Sequence, residues 1–244
     1  MKEAILKKFS NEYCSIDEIV SFIESRGEST PRKTVIWNVN DLVRQGKAIR
    51  VGRGVYGFIS KERFNPVMSK ETKRVCSLLQ KHFKYLVITV SDSGVLSQFM
   101  SLQPFSTVVV IETRKSAASS VLSELRKGGV DAYAKRDYAK LERYFVSPQP
   151  FLVRPELAVN PSLTQEGNYR SSTLEKILVD LVCDGDVYRQ YQGEELINIY
   201  RNTTSRYSVN YSQMLKYAAA RKKKASVQKV LLETDEYTKI RSMI

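Results

Sequence analysis

Histidine is almost absent from this chain, since His82 is the only one in 244 residues. An enzyme built on a Ser-His-Asp or Cys-His arrangement would have to place that residue at its centre. It lies in Gln80-Lys81-His82-Phe83-Lys84, the expected end of a basic helix, where a cation suits the helix dipole. Cysteine is nearly as scarce. Cys14, Cys76 and Cys183 are odd in number, far apart and without a CxxC pair. That spacing supports neither a disulfide framework nor a structural zinc site, and the three read as small buried apolar residues. No apolar run approaches the ~18 residues a membrane span needs, and Met1-Lys2-Glu3 opens no secretion signal. A Walker loop and a dinucleotide fingerprint are both missing, so no cofactor is expected.

Negative charge is also in deficit. Lys and Arg number 39 against 26 Asp and Glu, a formal charge of +13. Cut at residues 64 and 150, the three parts hold 12 basic and 8 acidic, 13 and 7, and 14 and 11 residues. The basicity is therefore spread along the chain and favours a polyanionic partner, nucleic acid first. With 42% hydrophobic residues, the length suffices for two or three small domains.

The first 64 residues carry the clearest local organisation. Met1 to Phe9 forms a short amphipathic helix, and Ser15 with Glu18 makes a capping box before Ile16, Ile19, Val20 and Phe22. Gly27 ends that helix, and Ser29-Thr30-Pro31 starts another, with proline in its first turn. Val35, Ile36, Val39, Leu42 and Val43 then fall on one stripe, and Gly46 supplies the stop. Ala48 to Val51 and Val55 to Ile59 flank the turn Gly52-Arg53-Gly54, a hairpin with an arginine at its tip. Three helices followed by a hairpin is the layout of a winged helix-turn-helix. Opposite the apolar stripe lie Lys33, Thr34, Trp37, Asn40, Asp41 and Arg44, with Arg32 at the N-terminal end. Such a face can contact phosphates and reach base edges, and Arg53 can approach a backbone or minor groove. Trp37 implies either a DNA contact or burial against another domain, and Asp41 would repel phosphate. Winged helices also serve purely as protein-docking modules, which is the alternative for this segment.

Beyond Asn65-Pro66 the pattern changes to strands alternating with helices up to about residue 150, a small α/β domain with a largely parallel sheet. Residues 151–244 read as helical, over Leu174 to Cys183, Glu194 to Tyr200, Tyr211 to Ala220 and Ser226 to Leu232. The fold class expected is thus α+β: winged helix at 1–64, small α/β domain at 65–150, helical C-terminal region at 151–244. Two constellations bear on catalysis. Asp92 and Glu112-Thr113-Arg114 evoke a metal-dependent nuclease, but Arg114 stands where a basic lysine is needed and stays protonated. Asp180, Asp184 and Asp186 around Gly185 offer a metal site or, more simply, a helix ending in an acidic turn. The run Arg221-Lys222-Lys223-Lys224 is a phosphate-attracting patch or a solvated face.

The chain resembles AbiEi-type antitoxins, the repressor half of abortive-infection type IV toxin–antitoxin systems. The N-terminal likeness rests on Thr34, Trp37, Asn40, Leu42, Val43, Gly46 and Ile49 and on Gly52-Arg53-Gly54-Val55-Tyr56. Further along it rests on Gln103-Pro104-Phe105, Arg154-Pro155, Leu174 to Asp180, Arg206 to Asn210 and Tyr217-Ala218. The resemblance implies a cytoplasmic, non-enzymatic regulator whose winged helix represses its own promoter at repeated operator sites. The DNA-contacting set would be Arg32, Lys33, Thr34, Trp37, Asn40, Arg44 and Arg53. It implies further that the C-terminal part counteracts a nucleotidyltransferase-like toxin, without a stable complex being required. Apart from the resemblance, which does not include the Arg221 to Lys224 run, the basic residues Arg206 and Arg221, Lys222, Lys223 and Lys224 are read from their charge as a surface for an acidic toxin or a shared RNA.

Overall fold

A computed structural model of the chain describes residues 1–141, 147–157, 159–164 and 169–243. It is a mixed α and β structure with two sheets. The N-terminal part consists of α1 (Lys2–Lys8), β1 (Tyr13–Ser15), α2 (Ile16–Ser25), α3 (Arg32–Arg44), β2 (Ile49–Gly52) and β3 (Val55–Gly57). The capping box forms as expected: Ser15 Oγ accepts from the Glu18 N–H, and the Glu18 carboxylate accepts from the Ser15 N–H. α3 begins one residue later than the proline suggests, with Pro31 itself at the cap position. Its stripe works as predicted. Val35, Val39 and Leu42 are buried with Ile5, Ile19 and Ile23, while Ile36 and Val43 pack at the margin. β1 has no counterpart in the sequence expectations. It pairs with β3, giving a three-stranded antiparallel sheet in the order β1-β3-β2.

The second sheet has six strands in the order β6-β7-β5-β4-β9-β8. They are β4 (Ile88–Asp92), β5 (Val109–Thr113), β6 (Ala132–Ala134), β7 (Phe151–Pro155), β8 (Ser162–Thr164) and β9 (Tyr169–Ser172). The pairs β4–β9, β5–β7 and β6–β7 are parallel, but β4–β5 and β8–β9 are antiparallel. The sheet is therefore mixed, not largely parallel. The reason lies after Asp92, where a 3-10 helix (Ser93–Phe99) replaces the expected crossover helix. With no helix to carry the chain back along the sheet, β5 re-enters beside the end of β4, Val109 opposite Asp92.

α4 (Lys70–His82) and α5 (Ala118–Lys127) cover one face of this sheet, burying Val75, Leu79, Val121 and Leu125 against Val109, Ile111, Phe151 and Val153. The other face takes α6 (Lys135–Leu141), α7 (Leu174–Cys183), α8 (Glu194–Arg206), α9 (Tyr211–Ala220), α10 (Lys224–Leu231) and α11 (Asp235–Ile240). Two of the expected boundaries therefore look different in three dimensions. The one at residue 150 falls inside the six-stranded sheet, because residues 151–172 supply three of its strands. The one at residue 64 is bridged by apolar contact. Ile49, Val51 and Val55 of the hairpin belong to the same buried cluster as Leu178, Tyr200, Tyr211 and Met214. Polar ties reinforce it: Lys61 Nζ reaches Glu236 at 2.6 Å, Tyr13 OH donates to the same carboxylate, and Glu62 bridges to Tyr207.

Candidate nucleic-acid interface

α3 owes its free face to its inner stripe. Once Val35, Val39 and Leu42 are buried, the residues half a turn away must point outward. Arg32, Lys33, Thr34, Trp37 and Arg44 are exposed, and Asn40 and Asp41 are half-buried beside them. Trp37 is 57% exposed, so its indole is not buried against another part of this chain. Lys2 Nζ stands 5.2 Å above its ring and also binds Asp41. That hydrogen bond holds the Asp41 carboxyl below its ordinary value and offsets the one negative charge on this face. Asn40 is less free, since its Oδ1 accepts from Tyr56 OH at 3.4 Å. Arg32 pairs with Asp17 in an exposed contact.

Arg53 sits at the hairpin tip as expected. Gly54 takes φ +72°, a backbone state that L side chains rarely adopt, so the turn needs a glycine there. The Arg53 side chain is exposed, but its backbone N–H donates to Ser212 Oγ at 3.0 Å. The tip is thus fastened to the first turn of α9.

The basic C-terminal residues do not form one surface. Arg206 is half exposed, bonded to Glu62 at 3.0 Å and lying over the Tyr207 ring. Arg221 departs from the expectation altogether. Its guanidinium turns inward and binds Asp180 and Asp184, because those carboxylates are buried and need cations. Lys222, Lys223 and Lys224 are exposed.

The network that captures Arg221 is the most elaborate polar cluster among the described residues. Arg154 of β7 donates to Glu112 at 2.7 Å, to Asp180 at 2.9 Å and to Asp184 at 2.6 Å. Lys176 reaches Glu112 at 3.1 Å and Asp180 at 2.5 Å, Tyr217 OH donates to Asp180 at 2.8 Å, and Lys135 binds Asp184. Burial alone would raise the Asp180 and Asp184 carboxyls, but the surrounding cations outweigh it and hold both below the ordinary range. Arg154, Lys176 and Arg221 are correspondingly pushed up, their carboxylate partners overcoming the cost of burial. Of the acidic turn read as a metal site, Asp180 and Asp184 thus serve as counterions of four cations, while Asp186 is exposed outside the network. The one available signal was Lys176 and Asp180, one helical turn apart in a segment that is otherwise apolar except for Glu175.

The nuclease constellation does not assemble. Asp92 pairs with Val109 and Glu112 with Thr89, placing the two carboxylates toward opposite ends of neighbouring strands. Asp92 accepts from Thr72 Oγ1 at 2.7 Å and Gly94 N–H at 2.9 Å, a local capping role. Among the described residues no group of three or more His, Cys, Asp or Glu could hold a metal ion. None of the helices there is long and apolar enough to cross a membrane. His82 lies at the end of α4, half exposed, 3.1 Å from Glu124. Cys14 and Cys76 are buried, and Cys183 is half-buried.

A cationic helix face beside a docked hairpin, on an α and β body with a buried ion network, is the class of protein these features define. The chain belongs to a family of unknown function, DUF6577, which matches residues 34–237. No curated protein matches it at a significant level. The family match takes in α3 from its first turn onward, the hairpin strands β2 and β3, the six-stranded sheet and the whole ion network, while α1, β1 and α2 precede it.

Proposed function

We propose that this chain is a DNA-binding transcriptional repressor and antitoxin of the AbiEi type, with α1 to β3 as a winged helix-turn-helix. The observation that carries the reading is the exposed face of α3. An indole 57% exposed, flanked by Lys33, Thr34 and Arg44 and with its one nearby carboxylate neutralised by Lys2, suits a polyanion. In this reading Lys33 and Arg44 grip phosphates, Thr34 and Trp37 meet base edges or sugars, and Arg53 touches a neighbouring backbone. With Arg32 and Lys2 engaged by Asp17 and Asp41, the exposed Lys33 and Arg44 are the cations this face offers to a polyanion.

The antitoxin half rests on the family resemblance. The exposed lysines 222 to 224 are its candidates for contact with an acidic toxin surface or a shared RNA, acting at long range and weakly. No enzymatic step and no cofactor enters the scheme.

Fluorescence anisotropy with the duplex upstream of the gene tests the DNA reading. About four to five phosphate contacts give a slope of log K against log salt near −4. Equal affinity for that duplex and for random DNA at about 150 mM salt would overturn it.

A further inference from the structure

β5, β7 and β6 run parallel, so their carboxyl ends, at Thr113, Pro155 and Ala134, lie along one border of the sheet. The chain leaves β5 through α5 on one face and leaves β6 through α6 on the other. Val121 and Leu125 of α5 pack with Phe151 and Val153, whereas Tyr138 of α6 packs in the opposite cluster with Leu152. Helices that depart to opposite faces from β5 and β6, the two strands flanking β7, open a crevice at the strand ends, the border where open α/β sheets bind ligands. The crevice is present here. It is about 900 Å³, at the upper end of the size of small-molecule sites.

Its chemistry is divided. The floor is apolar, with Leu122, Ala118, Val153 and Pro155, and Ser119 stands in the first turn of α5. The rim is cationic: Arg126, Lys127, Lys135 and Arg136 face a single lining carboxylate, Asp186. Two of those cations, Lys127 and Arg136, are weakly committed. Lys127 lies 3.9 Å from Glu124 and Arg136 lies 3.6 Å from Asp137, and both side chains are more than 70% exposed. Arg126 spends its Nε on the Ala132 carbonyl and keeps its terminal nitrogens outside that bond. Lys135 is shared with the buried network, where Arg154, Lys176, Arg221 and Lys135 face Glu112, Asp180 and Asp184. Without Lys135 that network is balanced, three cations against three carboxylates, so the charge Lys135 brings to the rim is in excess.

We propose that this cleft binds a small phosphorylated organic molecule. Its phosphate or diphosphate is held by the rim cations, and its apolar body rests against Leu122 and Val153. Several positive charges facing one carboxylate call for more than one negative charge, and guanidinium forks suit phosphate oxygens. The apolar body can be a nucleoside or an alkyl group, and the two are separated by experiment.

The test is thermal unfolding of the intact chain with ADP, hexyl phosphate, adenosine or inorganic phosphate added in turn. ADP or hexyl phosphate should raise Tm by several degrees, well beyond inorganic phosphate, and adenosine should not. Which of the two acts identifies the body. Ser119→Phe fills the crevice from an exposed position and should abolish the rise. Lys127→Ala with Arg136→Ala, both solvent-facing and therefore neutral for folding, should weaken binding about tenfold. Lys33→Ala with Arg44→Ala on α3 should leave the rise intact, so failure of the DNA reading and failure of this one are distinguishable. The proposal is overturned if no phosphorylated compound exceeds inorganic phosphate. It is equally overturned if the rise survives both cleft variants, or disappears in the α3 variant.

Discussion

Arg154 is one guanidinium addressing three carboxylates, on β5, on α7 and just past its end. Removing it leaves buried charge without a partner, the situation in which an ion pair matters most. Arg154→Ala is expected to cost roughly 3–5 kcal/mol. In a chain of this size that corresponds to a fall in Tm on the order of 10 °C, measurable by calorimetry. The same cluster sets the acid limit of the fold. Asp180 and Asp184 titrate lower in the native chain than in the unfolded one. Their stabilisation is therefore complete above the ordinary carboxylate range near pH 4 and is lost as pH falls below it. Denaturant midpoints measured between about pH 5 and pH 2 should decline with a slope that Asp184→Asn reduces. A flat profile would show that the network contributes no proton linkage.

At the scale of elements, α3 and the hairpin should divide the work on DNA. Arg53→Ala is expected to weaken binding to operator and random duplex alike, since a tip arginine meets backbone. Thr34→Ala is expected to reduce discrimination between them by about 1 kcal/mol, read as the ratio of the two dissociation constants. These elements were legible in the sequence because Val35, Val39 and Leu42 recur at helical spacing and Gly54 marks a turn. β7 was not, since Phe151-Leu152-Val153 is too short an apolar run to announce a strand buried on both faces. β9 is harder still: Tyr169-Arg170-Ser171-Ser172 has no alternation, and it is a strand because β4 offers it a ladder. Arg221 was misplaced for a related reason. Beside three lysines it reads as surface, and only the fold reveals the carboxylates that draw it inward.

For the molecule as a whole, the packing of Ile49, Val51 and Val55 into the main core changes how the two proposed activities can be separated. Deleting residues 1–64 would expose that cluster and strip Glu236 of Lys61 and Tyr13, so a truncated chain is expected to aggregate before it can be tested. Point variants in the intact chain are the cleaner route. Lys222→Ala, Lys223→Ala and Lys224→Ala together should leave Tm within about 1 °C, because these side chains are solvated. Protection in co-expression with the toxin should fall, while repression of a reporter holds. Protection that is unchanged would remove the lysines from the scheme.

α9 is held at one end by the network, through Arg221 just past its last turn, and grips the Arg53 amide with Ser212 at the other. A helix of ten residues is a rod about 15 Å long. The hairpin tip and the buried ion network therefore hold the two ends of one rod. In an NMR spectrum the Arg53 amide then serves as a remote reporter: its resonance and its solvent exchange are expected to differ between the native chain and Asp184→Asn.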